Sequence, residues 1–388
     1  GIEALARYKH FGSGQFVSPL MLFSIAAEQG LTVELDRLCR LTALRTFQSI
    51  ARQNPDQLLF INLDTSVIDQ GVVGSGHLIK AVETLGLNPR NIVIEINESK
   101  VSQYDCLQRF IENYKGYGFL MALDDLGLGH SNLDRILHIK PNIIKLDRCL
   151  TQNLDQDYYK QEICKALVNL SRKIGALVVA ECVETMAEVI ACLDLGIDIL
   201  QGYYFAEPRK MTDGLLHVMN NQIDLVAQHY KKLKTEKTLL EKMQWDVCNA
   251  AIDSIIAEVE SVSDDGFDDK LKKIVGRYPM LEYVYILNMK GEQVTETIGN
   301  LLMPGRNKLF HPDRKGADQS LKEYFLQTQA GWKRYTTEPY MSLATGNLCI
   351  TNSTVFSDTK GERYILCTDF NPGGIKNSVK GDIRDSMV

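Results

Sequence analysis

From residue 1 to about 210 the chain alternates between two textures, and that alternation limits its fold more than any other feature. Short apolar runs recur: "IEALA" (2–6), "LLFINLD" (58–64), "NIVIEIN" (91–97), "GFLMALDD" (118–125), "NIIKLD" (142–147), "ALVVAE" (176–181) and "DILQGYYF" (198–205). Between most of them lie amphipathic stretches such as "CLQRFIENYKGYG" (106–118) and "YYKQEICKALVNLSRKIG" (158–175), the latter ended by Gly175 in a helix C-cap position. Near-continuous apolar strands joined by helices predict a parallel sheet covered on both faces. Seven such runs, with an eighth expected to be lost upstream of a chain that opens in strand-like sequence, predict a (β/α)8 TIM-like barrel rather than an open doubly wound sheet.

Beyond the barrel, assigned to 1–212, the pattern changes twice. Residues 213–264 predict a long connecting helix, with apolar residues at Ile223, Val226, Tyr230, Leu233, Leu240, Val247 and Ala251, interrupted by Lys237 and Gln244. A helix packed on its neighbours and a coiled coil fit that spacing equally. "KKLKTEK" (231–237) reads as its solvated face. In 265–388, "YVYILNMKGEQV" (283–294) and "LCITNSTVFSDTKGERYILCTDF" (348–370) predict antiparallel strands turning at Lys-Gly, and "QSLKEYFLQTQ" (319–329) a helix. This is a smaller, separate α+β module.

Chemistry gathers where the barrel runs end. Glu3, Asn62, Glu95, Asp124 with Asp125, Lys145, Glu181 and Gln201 each stand at or near the C-terminal end of a different predicted strand, the face on which barrel active sites are built. Converging carboxylates repel one another and need cations. An oxygen-only set with one asparagine carbonyl suits Mg2+ or Mn2+ and not zinc. Adjacent aspartates suit two ions, and such sites activate water against a phosphoryl centre. In "ALDDLGLGH" (122–130) the glycines read as turn chemistry, since no strand–GxGxxG–helix frame surrounds them.

Composition narrows the partners. The net charge is −6 and no basic stripe interleaved with aromatics is present, which argues against long nucleic acid. No apolar run reaches the roughly 18 residues of a membrane helix, so no membrane insertion is expected. The 9 cysteines form no CxxC pair, which predicts reduced thiols and a cytoplasmic location.

Together these motifs resemble the EAL domain, a barrel that binds and hydrolyses cyclic di-GMP. "EALAR" (3–7) is similar to the family's E-x-L-x-R start, "INL" (61–63) to its asparagine strand, "EINES" (95–99) to E-x-T-E-S and "DDLGLGHSNL" (124–133) to DDFGTGYSSL. "IKLD" (144–147), "AECVET" (180–185) and "QGYYFAEP" (201–208) resemble IKID, AEGVET and the closing QGY…P. The resemblance implies metal ligation by Glu3, Asn62, Glu95 and Asp124, with Asp125 on a second ion and catalysis shared by Lys145, Glu181 and Asp125. It implies substrate binding by Leu5, Arg7, Asp147, Glu184, Gln201 and Pro208, and makes Glu98 the anchor of the 124–133 loop. It also implies a linear pGpG product, an Mg2+ or Mn2+ requirement and a homodimer.

More weakly, "YFLQT" (324–328), "EPYMSLATG" (338–346) and "YILCTDF" (364–370) resemble a PAS/Cache-like sensor, in which Trp332, Tyr340 and Asp369 would line a pocket for a small-molecule ligand. The barrel departs from the family pattern mainly around the 124–133 loop. Leu126, Leu128, His130 and Asn132 replace Phe, Thr, Tyr and Ser, and Asn97 replaces a threonine, so lost hydroxyl hydrogen bonds are expected to loosen the loop. That supports an alternative, a cyclic di-GMP receptor that binds without turnover. His130 is expected to pack in the loop. Cys182 stands at a family glycine and is expected to pack in the core.

Overall fold

The structure is a computed structural model that describes residues 1–10, 15–64, 67–68, 76–97, 104–127, 133–210, 215–300 and 311–371. It divides into compact units 1–232 and 233–388. Among the described residues no helix is long and apolar enough to cross a membrane.

The first unit is built on seven parallel strands in sequence order: β1 (Ile2–Ala4), β2 (Leu59–Leu63), β3 (Ile92–Ile96), β4 (Leu120–Leu126), β5 (Ile143–Leu146), β6 (Leu177–Ala180) and β7 (Ile199–Leu200). Laid flat, six inter-strand steps of about 4.8 Å would hold β1 and β7 roughly 29 Å apart. Yet the Gln201 amide, just past β7, donates to Glu3 on β1 at 2.6 Å. The sheet therefore curls until its first and last strands share one mouth, giving the expected TIM-like architecture.

Strand alternation then sorts the side chains. Outward residues such as Leu59, Ile61, Ile94, Met121, Ile144 and Val178 join a core with helix residues Leu44, Phe47, Leu107, Val168 and Val189. Inward, Phe60, Val93, Ala122, Ile143 and Val179 form a separate cluster with partly buried Ile199. Two residues on from each, hence on the same face, stand Asn62, Glu95, Asp124, Lys145, Glu181 and Gln201. The barrel interior is thus an apolar layer carrying a polar layer at the C-terminal ends of its strands, which is why these polar residues recur at one height.

One sequence expectation is corrected. The run 198–205 forms strand only at Ile199–Leu200, because Gly202 lies so close to Val183 that a Cβ would sit 2.1 Å from the Val183 carbonyl oxygen. The chain turns there, with Tyr204 N donating to Val183 O at 3.0 Å. Among the described residues no eighth strand joins the barrel sheet; the hairpin Tyr8–Lys9 and Phe16–Val17 is a separate pair.

One helix runs Leu215–Val259. Within the first unit, Val226 packs in the barrel core and the Tyr230 hydroxyl donates to Leu193 O at 3.2 Å. Within the second, Cys248, Ala251, Ile252, Ile255 and Val259 pack with Phe267 and Leu271 against an antiparallel sheet. That sheet contains β8 (Leu281–Asn288), β9 (Ile298–Gly299), β10 (Arg334–Thr336), β11 (Tyr340–Met341), β12 (Leu348–Ser357) and β13 (Arg363–Phe370). Tyr324 and Phe325 of the helix Glu323–Gln329 pack with Tyr285, Leu287, Ile365 and Cys367. The turns after Lys290 and Lys360 use Gly291 and Gly361 at φ +88° and +80°, as Lys-Gly bends require.

Candidate active site at the barrel mouth

Lys145 organises the polar layer. Its buried ammonium lies 2.5 Å from Glu95 Oε1, 2.6 Å from Glu181 Oε1, 3.2 Å from Asp124 Oδ1 and 3.5 Å from Glu3 Oε2. Burial alone would lower its pKa, but these carboxylates raise it well above the ordinary lysine range. Glu3 is held from both sides of the barrel seam, its Oε1 accepting from Asn62 at 3.1 Å and its Oε2 from Gln201 at 2.6 Å.

The paired aspartates share this mouth through a break in strand geometry. Consecutive residues of a regular strand face opposite ways. Here the β4–β5 register shifts between Leu123 and Leu126, and Asp125 takes φ +56°. The bulge brings carboxylate oxygens of Asp124, Asp125 and Glu181 within 4.8 Å of one another. Gly127 follows at φ +115°, and a Cβ there would meet Leu150 Cδ1 at 2.8 Å, so backbone and space both call for glycine.

Among the described residues, charge in the mouth is poorly balanced. Glu3, Glu95, Asp124, Asp125 and Glu181 are five carboxylates around the Lys145 ammonium. Burial, then the charges of Glu3 and Asp124, pushes Glu95 well above the carboxylate range despite Lys145. Burial raises Glu181 to about 7 and also raises Asp125, which Asp124 and Asp147 push further. Glu95 Oε2 is buried without a hydrogen-bond donor; its Oε1 meets Lys145 as an ion pair rather than a well-directed hydrogen bond. Oxygen donors, surplus negative charge and an orphaned carboxylate oxygen fit a hard divalent cation.

The other expected positions spread around this centre. Asp147 caps the turn Arg148–Thr151 by accepting from Cys149 N at 2.7 Å, and Glu184 lies 3.6 Å from Arg148. Leu5, Arg7 and Pro208 are exposed, and the Arg7 guanidinium donates to Ala6 O. Asn97, where a hydroxyl was expected to be missed, donates its amide to Asp125 Oδ2 at 2.5 Å, so a hydrogen bond is retained. Cys182 is exposed rather than in the core and adopts φ +55°, the left-handed backbone that favours glycine. Glu98, Leu128, His130 and Asn132 lie outside the described residues. Sequence reading missed Thr151, whose hydroxyl donates to Glu181 O at 2.6 Å, and Glu188, although Thr185-x-x-Glu188 is a legible capping box.

A sequence model described as the EAL domain matches residues 1–208, more than half of the chain. The chain belongs to the EAL family. It is 25% identical over 370 residues to the uncharacterized EAL-domain protein YkuI of Bacillus subtilis, covering 92% of this chain and 88% of YkuI. The YkuI structure, in complex with c-di-GMP and calcium, superposes with a TM-score of 0.72 at 24% identity, over 95% of this chain and 91% of that one, and so shares the fold of both units. The probable cyclic di-GMP phosphodiesterase PdeG of Escherichia coli is 28% identical over 216 residues, 55% of this chain. The chain spans 42% of PdeG's length. A c-di-GMP complex of the PaMucR phosphodiesterase superposes at TM-score 0.50 and 26% identity, over 56% of this chain and 87% of that one.

In the C-terminal unit the structure joins two of the three expected pocket residues. Thr351 Oγ1 donates to buried Asp369 at 2.7 Å and lies 2.6 Å from the Tyr340 hydroxyl. Trp332 is exposed, its ring packed edge-on against Tyr335. Burial raises Asp369 from 3.8 to about 7. A carboxyl whose folded pKa is raised contributes stability fully present below the unfolded value and lost as pH rises through the folded one. Asp369→Asn should therefore lose little stability at pH 7.5 and more at pH 4. The difference between the two proteins should change by a few kcal/mol over that window, since a pKa unit is worth about 1.4 kcal/mol. Parallel urea-unfolding curves for wild type and variant across pH 4–7.5 would contradict this.

Proposed function

We propose that the barrel mouth binds cyclic di-GMP and hydrolyses one of its phosphodiesters with Mg2+ or Mn2+ to give linear pGpG. The observation that carries this reading is the excess of carboxylates around Lys145 in an EAL barrel. Glu3, Asn62, Glu95 and Asp124 would hold one ion and Asp125 would join a second. Bound ions supply charge compensation and a more acidic water.

The chain's own groups do the rest. Lys145 and Glu181 orient the attacking water, and Glu181, paired with the Lys145 ammonium at 2.6 Å, takes its proton. The water oxygen bonds to phosphorus, the P–O3′ bond breaks, and the leaving 3′ oxygen gains a proton. Gln201 keeps Glu3 in place, while Leu5, Arg7, Asp147, Glu184 and Pro208 meet the dinucleotide. Leu5 and Arg7 are exposed beside the mouth, as ligand contacts must be. The protein acts as a homodimer, with residues 265–388 as a small-molecule sensor and 213–264 as the link to the barrel.

One observation favours a second reading, a receptor without turnover. The Asn97 amide donates to Asp125 Oδ2, one of the two carboxylate oxygens open to a second ion, and so competes with that ion for the residue. Incubation with cyclic di-GMP and either metal, with products separated chromatographically beside a binding titration, separates the two. Linear dinucleotide at many turnovers per site is expected; saturable binding with no product in either metal establishes the receptor. A sedimentation mass equal to one chain would reject the dimer.

A further inference from the structure

We infer that Glu188 is a positioning residue that holds two ligand-facing segments of the barrel mouth together. The segments are 147–153, which follows Lys145 on β5, and 181–185, which follows β6. Glu188 is buried in the first turn of the helix Met186–Leu195. Its Oε2 accepts from Glu184 N at 2.9 Å and Thr185 N at 3.0 Å. Its Oε1 reaches across to Asn153 N at 2.8 Å, 35 residues away in sequence.

Helix capping accounts for only half of this arrangement. A capping box needs Glu188 on its own N-terminus and Thr185 in return, and both are present. The bond to Asn153 adds nothing to that helix. It fixes the end of the segment that begins with Asp147, at a residue held at φ +55°. The Thr151 hydroxyl makes a second stitch between the same segments at Glu181 O. Burial pushes the Glu188 carboxyl up, but these N–H donors and the Thr185 hydroxyl hold it below its ordinary value, so it meets them as the anion. A carboxylate offers acceptors on both oxygens, and a carboxamide on one. The anion can therefore serve both segments where an amide serves one.

The kinetic consequence rests on the phosphodiesterase reading. Glu188 touches no proposed metal ligand side chain, whereas Asp147 and Glu184 are proposed ligand contacts on the segments it joins. Glu188→Ala should raise KM, and Kd for cyclic di-GMP measured in Ca2+, by about tenfold, with kcat within about twofold. Thr185→Ala removes the other half of the capping box and leaves the Asn153 bond in place, so it should raise both constants less than Glu188→Ala does. Glu188→Gln keeps the cap and loses the Asn153 bond, so it should fall between. Hydrogen exchange on the full chain should quicken at both 147–153 and 181–185 in Glu188→Ala, and near the 186–195 helix alone in Thr185→Ala. Unchanged KM and Kd in Glu188→Ala, an equal rise in Thr185→Ala, or exchange confined to the helix overturns the clamp. If wild type neither binds nor cleaves cyclic di-GMP, the functional reading fails, and the exchange pattern decides the clamp by itself.

Discussion

Lys145→Met should unfold on the order of 10 °C below wild type at pH 8 in the presence of a chelator. The substitution keeps most of the side chain's volume and removes the ammonium that Glu95, Glu181, Asp124 and Glu3 surround. Breaking a buried ion pair from one side costs about 3–5 kcal/mol, because the partner charge stays behind. For a unit of this size that corresponds to a shift of roughly 2–4 °C per kcal/mol. The loss has a pH signature. Glu95 and Glu181 are already raised by burial, and without Lys145 they rise further, so at pH 5 they are protonated and the variant loses less. Mn2+ should restore part of the difference at pH 8, since a divalent ion supplies positive charge to the folded state alone. Turnover should drop at least about a hundredfold, the scale of losing a group that handles the reacting water. Calorimetric scans at pH 5 and 8, with chelator and with Mn2+, give the comparison. Equal melting temperatures at pH 8 in chelator would mean the carboxylates do not depend on Lys145.

Much of this site is legible in the sequence for a simple reason. A parallel barrel strand buried on both faces is apolar except where its inward face emerges at the mouth, so a lone polar residue near the end of each run marks the polar layer there. Glu95 in "NIVIEIN" and Lys145 in "NIIKLD" are read that way, and the structure places both inward, two residues beyond Val93 and Ile143. Period-2 reading fails where geometry departs from period 2. It assigns Asp124 and Asp125 to opposite faces, and only the bulge at Asp125 reconciles them.

Long-range backbone approaches are the second blind spot. The final strand is overextended in the sequence reading because "YYF" has high strand propensity, whereas Val183 pressing on Gly202 turns the chain. Cys182 is misjudged because a small apolar residue next to a strand suggests burial; its left-handed backbone turns it outward instead. Thr151 and Glu188 act through the backbone of segments 30 and 35 residues distant. No local pattern announces such partners, though the capping box at Thr185 marks Glu188 as worth tracing.

Glu3→Ala should abolish metal-dependent turnover, with a loss of at least about a hundredfold in both Mg2+ and Mn2+. Substituting outer-shell partners of a metal site typically costs 10–100-fold, and Glu3 is proposed as a ligand of the ion itself. The residue carries a second task that must be separated from the first. It accepts from Asn62 on β2 and from Gln201 beyond β7, and so ties the seam where the curled sheet meets itself. Glu3→Gln distinguishes the tasks. A carboxamide keeps an acceptor for one of those donors but gives up the negative charge, so it should keep more of the wild-type melting temperature than alanine while losing turnover nearly as completely. Removing one of five carboxylates also relieves repulsion in a mouth without ions. Glu3→Ala should therefore destabilise the chelated protein less than Lys145→Met does, and Mn2+ should raise its melting temperature less than it raises that of wild type. Retained turnover in Glu3→Ala would remove Glu3 from the metal site. Turnover lost only in proportion to the unfolded fraction would leave Glu3 the seam and nothing more.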